Sequence, residues 1–154
     1  MATPSSLRDM RDDTNLGLLL RQIRDGLLSR IQKRLVSNGI AINYSQFLVV
    51  KILAQTGPQM PGELARRLDH NAGAMTRLID RLVDDGYAQR KPHAVDRRAQ
   101  MIELTTKGQS LWRTISHYIE QAQGLALREL KGRDSAKLFT LLRTVRDTLD
   151  NADD

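Results

Sequence analysis

Along the first part of the chain, Leu16, Leu20, Ile23, Leu27, Ile31 and Leu35 recur at intervals of three and four. That is the spacing of one helix face, and it predicts a helix from about Asn15 to Ser37, stopped by Asn38-Gly39 acting as a left-handed C-cap. Asn43 with Gln46 three residues later has the form of a capping box and starts a short helix through about Gln55, ended by Gly57-Pro58. Pro61 suits a first helical position, where its missing N–H costs nothing, so Gly62 to Leu68 reads as a helix with Leu64, Ala65 and Leu68 inward. After the turn Asp69-His70-Asn71, Asn71 is the expected N-cap of a helix from Ala72 to Asp85. Its buried stripe is Met75, Leu78, Ile79, Leu82 and Val83, with Ala74, Thr76, Arg77, Asp80, Arg81 and Asp84 outward, and Gly86 closes it.

The period then shortens. Tyr87 to Pro92 and Ala99 to Thr105 read as two short strands, joined by His93-Ala94-Val95-Asp96-Arg97-Arg98, with Ile102 and Leu104 on one face of the second strand and Met101 and Glu103 on the other. Thr105 can cap a long helix from Thr106 to about Leu130, whose apolar positions are Leu111, Ile115, Tyr118, Ile119, Ala122, Leu125, Ala126 and Leu130. Gly132-Arg133 breaks it. Asp134 is the expected cap of a last helix with Leu138, Leu141, Leu142, Val145 and Leu149 inward, and the acidic end from Asp150 to Asp154 is expected to fray.

The fold class that follows is mainly α with a small β-hairpin wing. A winged helix-turn-helix occupies residues 41–105, helices in 14–40 and 106–150 form a dimerisation region, and 1–13 is a flexible tail. The end helices carry strong apolar stripes beside a central module able to bury its own core. The simplest cover for those stripes is the same helices of a second chain about a two-fold axis.

Composition narrows the function classes. With 4% aromatic residues the core must be built from Leu, Ile, Val and Ala, and the absence of cysteine excludes a disulfide framework, cysteine-ligated zinc and thiol redox sensing. The first 13 residues hold charges and no apolar core, and the longest apolar runs fall far short of a membrane span, so a soluble, cytoplasmic protein is expected. A net charge of +6 is compatible with a polyanionic partner. The excess lies mostly before residue 52, and residues 61–108 hold nine basic against seven acidic residues, so the placement of individual arginines must carry the argument.

The stretch with most to say is Asp96-Arg97-Arg98, two arginines behind an aspartate at a hairpin tip. Such a finger suits a narrow minor groove, where the negative potential is strongest. An isolated Asp-Arg-Arg is more often a solvated turn, and a lone pair of short helices more often a packing unit; their order along one chain is what favours DNA. Catalysis has little support. The three histidines, His70, His93 and His117, lie in different elements without metal-ligand spacing, Ser110 and Ser116 lack triad partners, and no phosphate-cradling glycine loop occurs. No metal and no cofactor is expected.

Taken together, Pro61-Gly-Glu-Leu-Ala-Arg-Arg-Leu, Ala74-Met-Thr-Arg-Leu-Ile-Asp-Arg-Leu-Val-Asp-Asp-Gly-Tyr, Asp96-Arg-Arg and Glu103-Leu-Thr-Thr-Lys-Gly108 resemble the MarR (multiple antibiotic resistance regulator) family over nearly the whole chain. The resemblance implies a winged helix-turn-helix homodimer that binds pseudo-palindromic double-stranded DNA, commonly as a repressor, and releases it when a small aromatic or anionic effector binds. Asp69 stands where the family usually has glycine, His70 where it has an aliphatic residue, and Gly73 where serine is frequent, offering only a backbone N–H. The lack of cysteine sets the chain apart from the peroxide-sensing branch.

On this reading the helix from Ala72 lies in the major groove. Arg77 is the first candidate for a base contact, able to donate two bonds to guanine O6 and N7. Thr76 and Ala74 are placed to meet a thymine methyl or a phosphate, and Gly73 and Asn71 to meet a phosphate. Arg97 or Arg98 enters the minor groove with Asp96 holding the loop, and Arg81 or Asp80 completes that network. Arg66, Arg67, Arg90 and Lys91 are phosphate-contact candidates. For an effector, Arg21 and Arg24 share a face of the first helix, and Phe47 and Lys51 lie one turn apart on the second. The resemblance implies that residues matching Arg21, Arg24 and Phe47 line a cleft for an aromatic carboxylate, while the plainer reading has solvated arginines and a core phenylalanine. The competing function is a non-catalytic winged-helix module that binds another protein, and a steep salt dependence of DNA binding would separate the two.

Overall fold

The structure, a computed structural model, describes residues 15–96 and 99–152. In chain order these form α1 (Leu16–Ser37), α2 (Tyr44–Thr56), α3 (Pro61–Arg67), α4 (Ala72–Asp84), β1 (Ala88–Pro92), β2 (Gln100–Leu104), α5 (Thr106–Leu127) and α6 (Asp134–Asp150). Local chemistry sets most boundaries. The Asn15 Oδ1 accepts the Leu18 N–H at the start of α1. At its end Gly39 takes φ of 70° while the N–H groups of Ile40 and Gly39 return to the carbonyls of Leu35 and Val36, the paired closure that satisfies a helix's last acceptors. The reciprocal bonds of Asn43 and Gln46 start α2. Pro61 opens α3.

The chain divides into two compact units. One runs from Ser29 to Tyr118, and the other comprises the described residues before Ser29 and from Ile119 onward. In the first, Val49, Val50, Leu64, Ile79, Leu82, Ile102 and Ile115 are fully buried. These side chains come from α2, α3, α4, β2 and the N-terminal half of α5, so each element contributes one apolar face to a shared core. Leu35 at the end of α1 is buried in the same unit.

The hairpin is antiparallel, with Ala88 opposite Leu104 and Pro92 opposite Gln100. This register turns Ala88, Ile102 and Leu104 inward. Gln59 adds a short third rung, exchanging backbone bonds of 2.9 and 2.8 Å with Ile102, so the wing's inner strand is fixed to the segment between α2 and α3.

The other unit is built differently. In α6 no residue is buried, and Leu141 and Leu149 are 54% and 65% exposed. Of the residues expected to point inward, Leu138, Leu142 and Val145 are half-buried and Leu141 and Leu149 exposed, so among the described residues that face is only partly covered. Likewise Leu16, Leu20 and Ile23 of α1 are exposed. Asp134 is the first residue of α6 rather than its cap; Arg133 holds the cap position without a side-chain bond. Among the described residues no helix is long and apolar enough to cross a membrane.

Candidate nucleic-acid interface

The candidate interface centres on the pair α3 and α4. Between them Asp69 adopts φ of 52°, a left-handed conformation that only glycine takes without cost and that aspartate tolerates better than most residues. The turn is closed by the His70 N–H donating to the Ala65 carbonyl at 2.9 Å. Asn71 then caps α4, its Oδ1 accepting the Ala74 N–H at 2.8 Å. That leaves the Asn71 amide nitrogen as the group able to meet a phosphate oxygen.

Met75, Ile79 and Leu82 anchor α4 in the core. Gly73, Thr76, Arg77, Asp80 and Arg81 are all exposed, whereas Ala74 is half-buried beside Leu78. Thr76 spends its hydroxyl hydrogen on the Ala72 carbonyl at 2.9 Å, so its methyl group and oxygen lone pairs are what it can offer outward. The Arg77 side chain lies back along the helix toward Gly73, its Nη1 3.9 Å from where a Cβ on that glycine would stand. A groove of about 650 Å³ runs along one flank of α4, lined among others by Ile42, His70, Ala74, Arg77, Leu78 and Arg81.

One ion pair ties the wing to this helix among the described residues. Arg90 on β1 donates to Asp80 on α4 and reaches Gln100 across the hairpin at 3.4 Å. Arg81 meets Asp85 more loosely, at 3.9 Å. Asp80 is thus engaged at the base of the wing and Arg81 within the last turn of α4, where the sequence reading had one of them join the network of Asp96. At the tip, the His93 Nδ1 accepts the N–H groups of both Val95 and Asp96 at 3.2 Å, and the Asp96 carbonyl accepts the Ala99 N–H. Arg97 and Arg98 lie outside the described residues.

Of the phosphate candidates, Arg66 pairs with Glu63, Arg90 with Asp80 and Lys91 with Glu103. Arg67 is exposed at the end of α3. The Lys91 bond, with a second from Gln89, holds the Glu103 carboxyl below its ordinary value of 4.5.

Sequence reasoning missed the joint at the wing's foot. The Thr105 hydroxyl donates to the Gly86 carbonyl at 2.6 Å and accepts the Gly108 N–H at 3.0 Å. The Lys107 ammonium donates to the Asp85 carbonyl at 2.7 Å and sits 4.8 Å from the centre of the Tyr87 ring, a cation over an aromatic face at the end of α4. A Cβ on Gly108 would stand 1.9 Å from the Tyr87 carbonyl oxygen. The block Leu-Thr-Thr-Lys-Gly carried this signal in the sequence, but only the contact with α4 gives it a meaning.

The effector candidates fall in different compact units. Arg21 and Arg24 are exposed and both turn to Asp25, at 3.6 and 2.9 Å. Phe47 is half-buried, with its ring 5.8 Å from Tyr44 and 6.5 Å from Trp112, and Lys51 is half-buried.

Comparison with known proteins agrees with this geometry. The model of the MarR family matches residues 42–99, the stretch from the start of α2 to the wing. An HTH-type transcriptional regulator of Mycobacterium tuberculosis is 32% identical over 127 residues, spanning 82% of this chain and 80% of its own length. The multiple antibiotic resistance protein MarR of Escherichia coli is 31% identical over 105 residues, 68% of this chain and 73% of that protein. The crystal structure of its reduced form superposes with a TM-score of 0.73 at 27% identity, covering 85% of this chain and 96% of that one. A MarR family protein from Bacillus stearothermophilus shares the fold, with a TM-score of 0.77 at 22% identity over 92% of this chain and 98% of that one.

Proposed function

Because this chain belongs to the MarR family of DNA-binding transcriptional regulators, we propose that it is a repressor that grips a pseudo-palindromic operator as a homodimer. The family's members are regulators and not enzymes. The observation that supports this reading is the bond from Arg90 to Asp80, which joins the wing to the outward face of α4. In this reading α4 lies in the major groove and Arg77 donates to guanine O6 and N7. Thr76 and Ala74 pack against neighbouring methyl or phosphate groups, Gly73 and Asn71 meet a phosphate, and Arg81 adds charge at the groove edge. Asp96 orders the wing tip, from which Arg97 or Arg98 enters the minor groove.

The second copy is supported by the apolar faces left open on Leu16, Leu19, Leu20 and Ile23 and on Phe139, Leu141 and Leu149. Side chains of this size gain roughly 1.5–3 kcal/mol each when fully buried, and a two-fold pairing would bury both sets at once. A small aromatic carboxylate effector would release DNA by favouring a dimer whose reading helices are wrongly spaced.

Mobility shifts on a selected operator test the reading. Arg77→Ala should cost about 1–3 kcal/mol and relax one base position, while replacing Arg97 and Arg98 together should weaken binding to every sequence. An Arg77→Ala protein with wild-type affinity and unchanged base preference would refute the assignment of α4 as the reader.

A further inference from the structure

A second cavity, of about 460 Å³, lies away from the reading face of α4. Its walls come from the end of α2 and the following turn (Ala54, Pro58), from β2 (Glu103) and from α5 (Gln109, Trp112, Arg113). All of these residues lie within the unit from Ser29 to Tyr118.

Its chemistry is dipolar. Glu103 and Arg113 both line the cavity, yet they make no ion pair with each other. The bonds from Lys91 and Gln89 both fall on Glu103 Oε1, so Oε2 is available to a further donor. Arg113 is exposed and makes no ion pair with another described residue. Trp112, the only tryptophan of the chain, supplies a half-buried aromatic wall, and Leu53, Ala54 and Leu104 supply apolar surface. A carboxylate and a guanidinium that line one cavity with apolar surface, unpaired with each other, match a ligand that carries both charges itself.

We propose that this cavity binds a compact amphipathic zwitterion of α-amino-acid size. The ligand's carboxylate meets Arg113, its ammonium meets Glu103 Oε2, and its apolar or aromatic body lies against Trp112. Its position makes the site a lever on the wing, because the same Glu103 carboxylate ties Lys91 and Gln89 on β1 to β2. A cation arriving at Glu103 draws that carboxylate away from Lys91 and loosens the hairpin. The lever, unlike the site, rests on the DNA-binding reading.

Trp112 reports on the site directly. The full chain, excited where only tryptophan absorbs, is titrated with L-phenylalanine, with 3-phenylpropanoate, which lacks the ammonium, and with 2-phenylethylamine, which lacks the carboxylate. L-phenylalanine should shift the emission saturably, at a concentration at least tenfold lower than either fragment. Arg113→Gln should remove its advantage over the amine, and Glu103→Gln its advantage over the acid. Equal binding of all three probes, or no change in emission with any of them, overturns the site. Arg113 is on the surface, so its variant tests the proposal even if Glu103→Gln disturbs the wing. Anisotropy of a labelled operator is read alongside. Saturable L-phenylalanine binding that leaves operator affinity unchanged overturns the lever alone, and failure to bind any duplex refutes the DNA reading without touching the fluorescence result.

Discussion

The unit from Ser29 to Tyr118 and the unit formed by the terminal segments are written in similar amino acids but solve burial differently. In the first, eight large side chains from four helices and one strand are fully enclosed. In the second, α6 encloses none of its own residues although leucines recur along it. An amphipathic helix gains its stability from whatever covers its apolar face. The first unit finds that cover in its own chain, whereas in the second much of the apolar face of α6 stays open among the described residues. The contrast teaches that apolar periodicity reports which face wants burial and says nothing about whose surface provides it.

The sharpest way to break the comparison is to strike the self-sufficient unit at its tightest point. Gly108→Ala puts a methyl group into the Tyr87 carbonyl, a clash with backbone that no rotamer change relieves. It should cost about 3 kcal/mol or more, at the upper end of overpacking losses, read as a lower urea midpoint at any protein concentration. An unchanged midpoint would show that the joint between α5 and the end of α4 is looser than described.

The corresponding blow to the other unit should act differently. Leu141→Ser removes an exposed side chain and should leave the unfolding of a dissociated chain within about 0.5 kcal/mol. It should weaken self-association by tenfold or so, about 1.4 kcal/mol, seen by sedimentation as dimers parting at higher concentration. If Leu141→Ser instead lowers stability independently of concentration, α6 is covered within its own chain and the comparison fails.

Much of this was legible beforehand because it is local. The Asn43–Gln46 box, Pro61 at a helix start, Asn71 as a cap and the stops at Gly39, Gly57 and Gly86 each depend on neighbours within a few residues. The structure has them at those places. What the sequence hid depends on elements meeting. Asp80 and Arg90 are ten residues apart on different elements, and Thr105 lies 19 residues from Gly86. Neither spacing has a helical or strand period, so no pattern announces the pair. Asp134 misled for a local reason, since an aspartate favours both a cap and the first helical turn. Of the candidate site, the outward face of α4 was readable from period alone, whereas the engagement of Asp80 by Arg90 at the wing's foot was not.

Smaller effects sharpen the account within the central unit. Asp69 holds a left-handed backbone that costs a non-glycine residue about 1–2 kcal/mol, less for aspartate. Asp69→Gly should relieve this while adding freedom to the unfolded chain, for a net gain of about 0.5 kcal/mol. A raised melting temperature with unchanged DNA affinity would fit, and a lowered one would mean that the Asp69 side chain does more than fill a turn. The smallest effect concerns pH. Because Lys91 and Gln89 hold the folded Glu103 carboxyl below 4.5, its contribution is fully present above the unfolded-state value and fades as pH falls through the folded one. The melting difference between wild type and Glu103→Gln should therefore be constant near neutrality and shrink in acid. A difference that grows as pH falls would contradict the Lys91 pairing.

In the proposed complex, two copies present their α4 helices at a spacing that reads matching half-sites on one side of a duplex. Selecting bound fragments from a random DNA pool with the purified full chain measures this directly. The account predicts a two-fold symmetric consensus with half-sites about one helical turn apart, whereas enrichment of a single asymmetric site, or of no sequence at all, would contradict it.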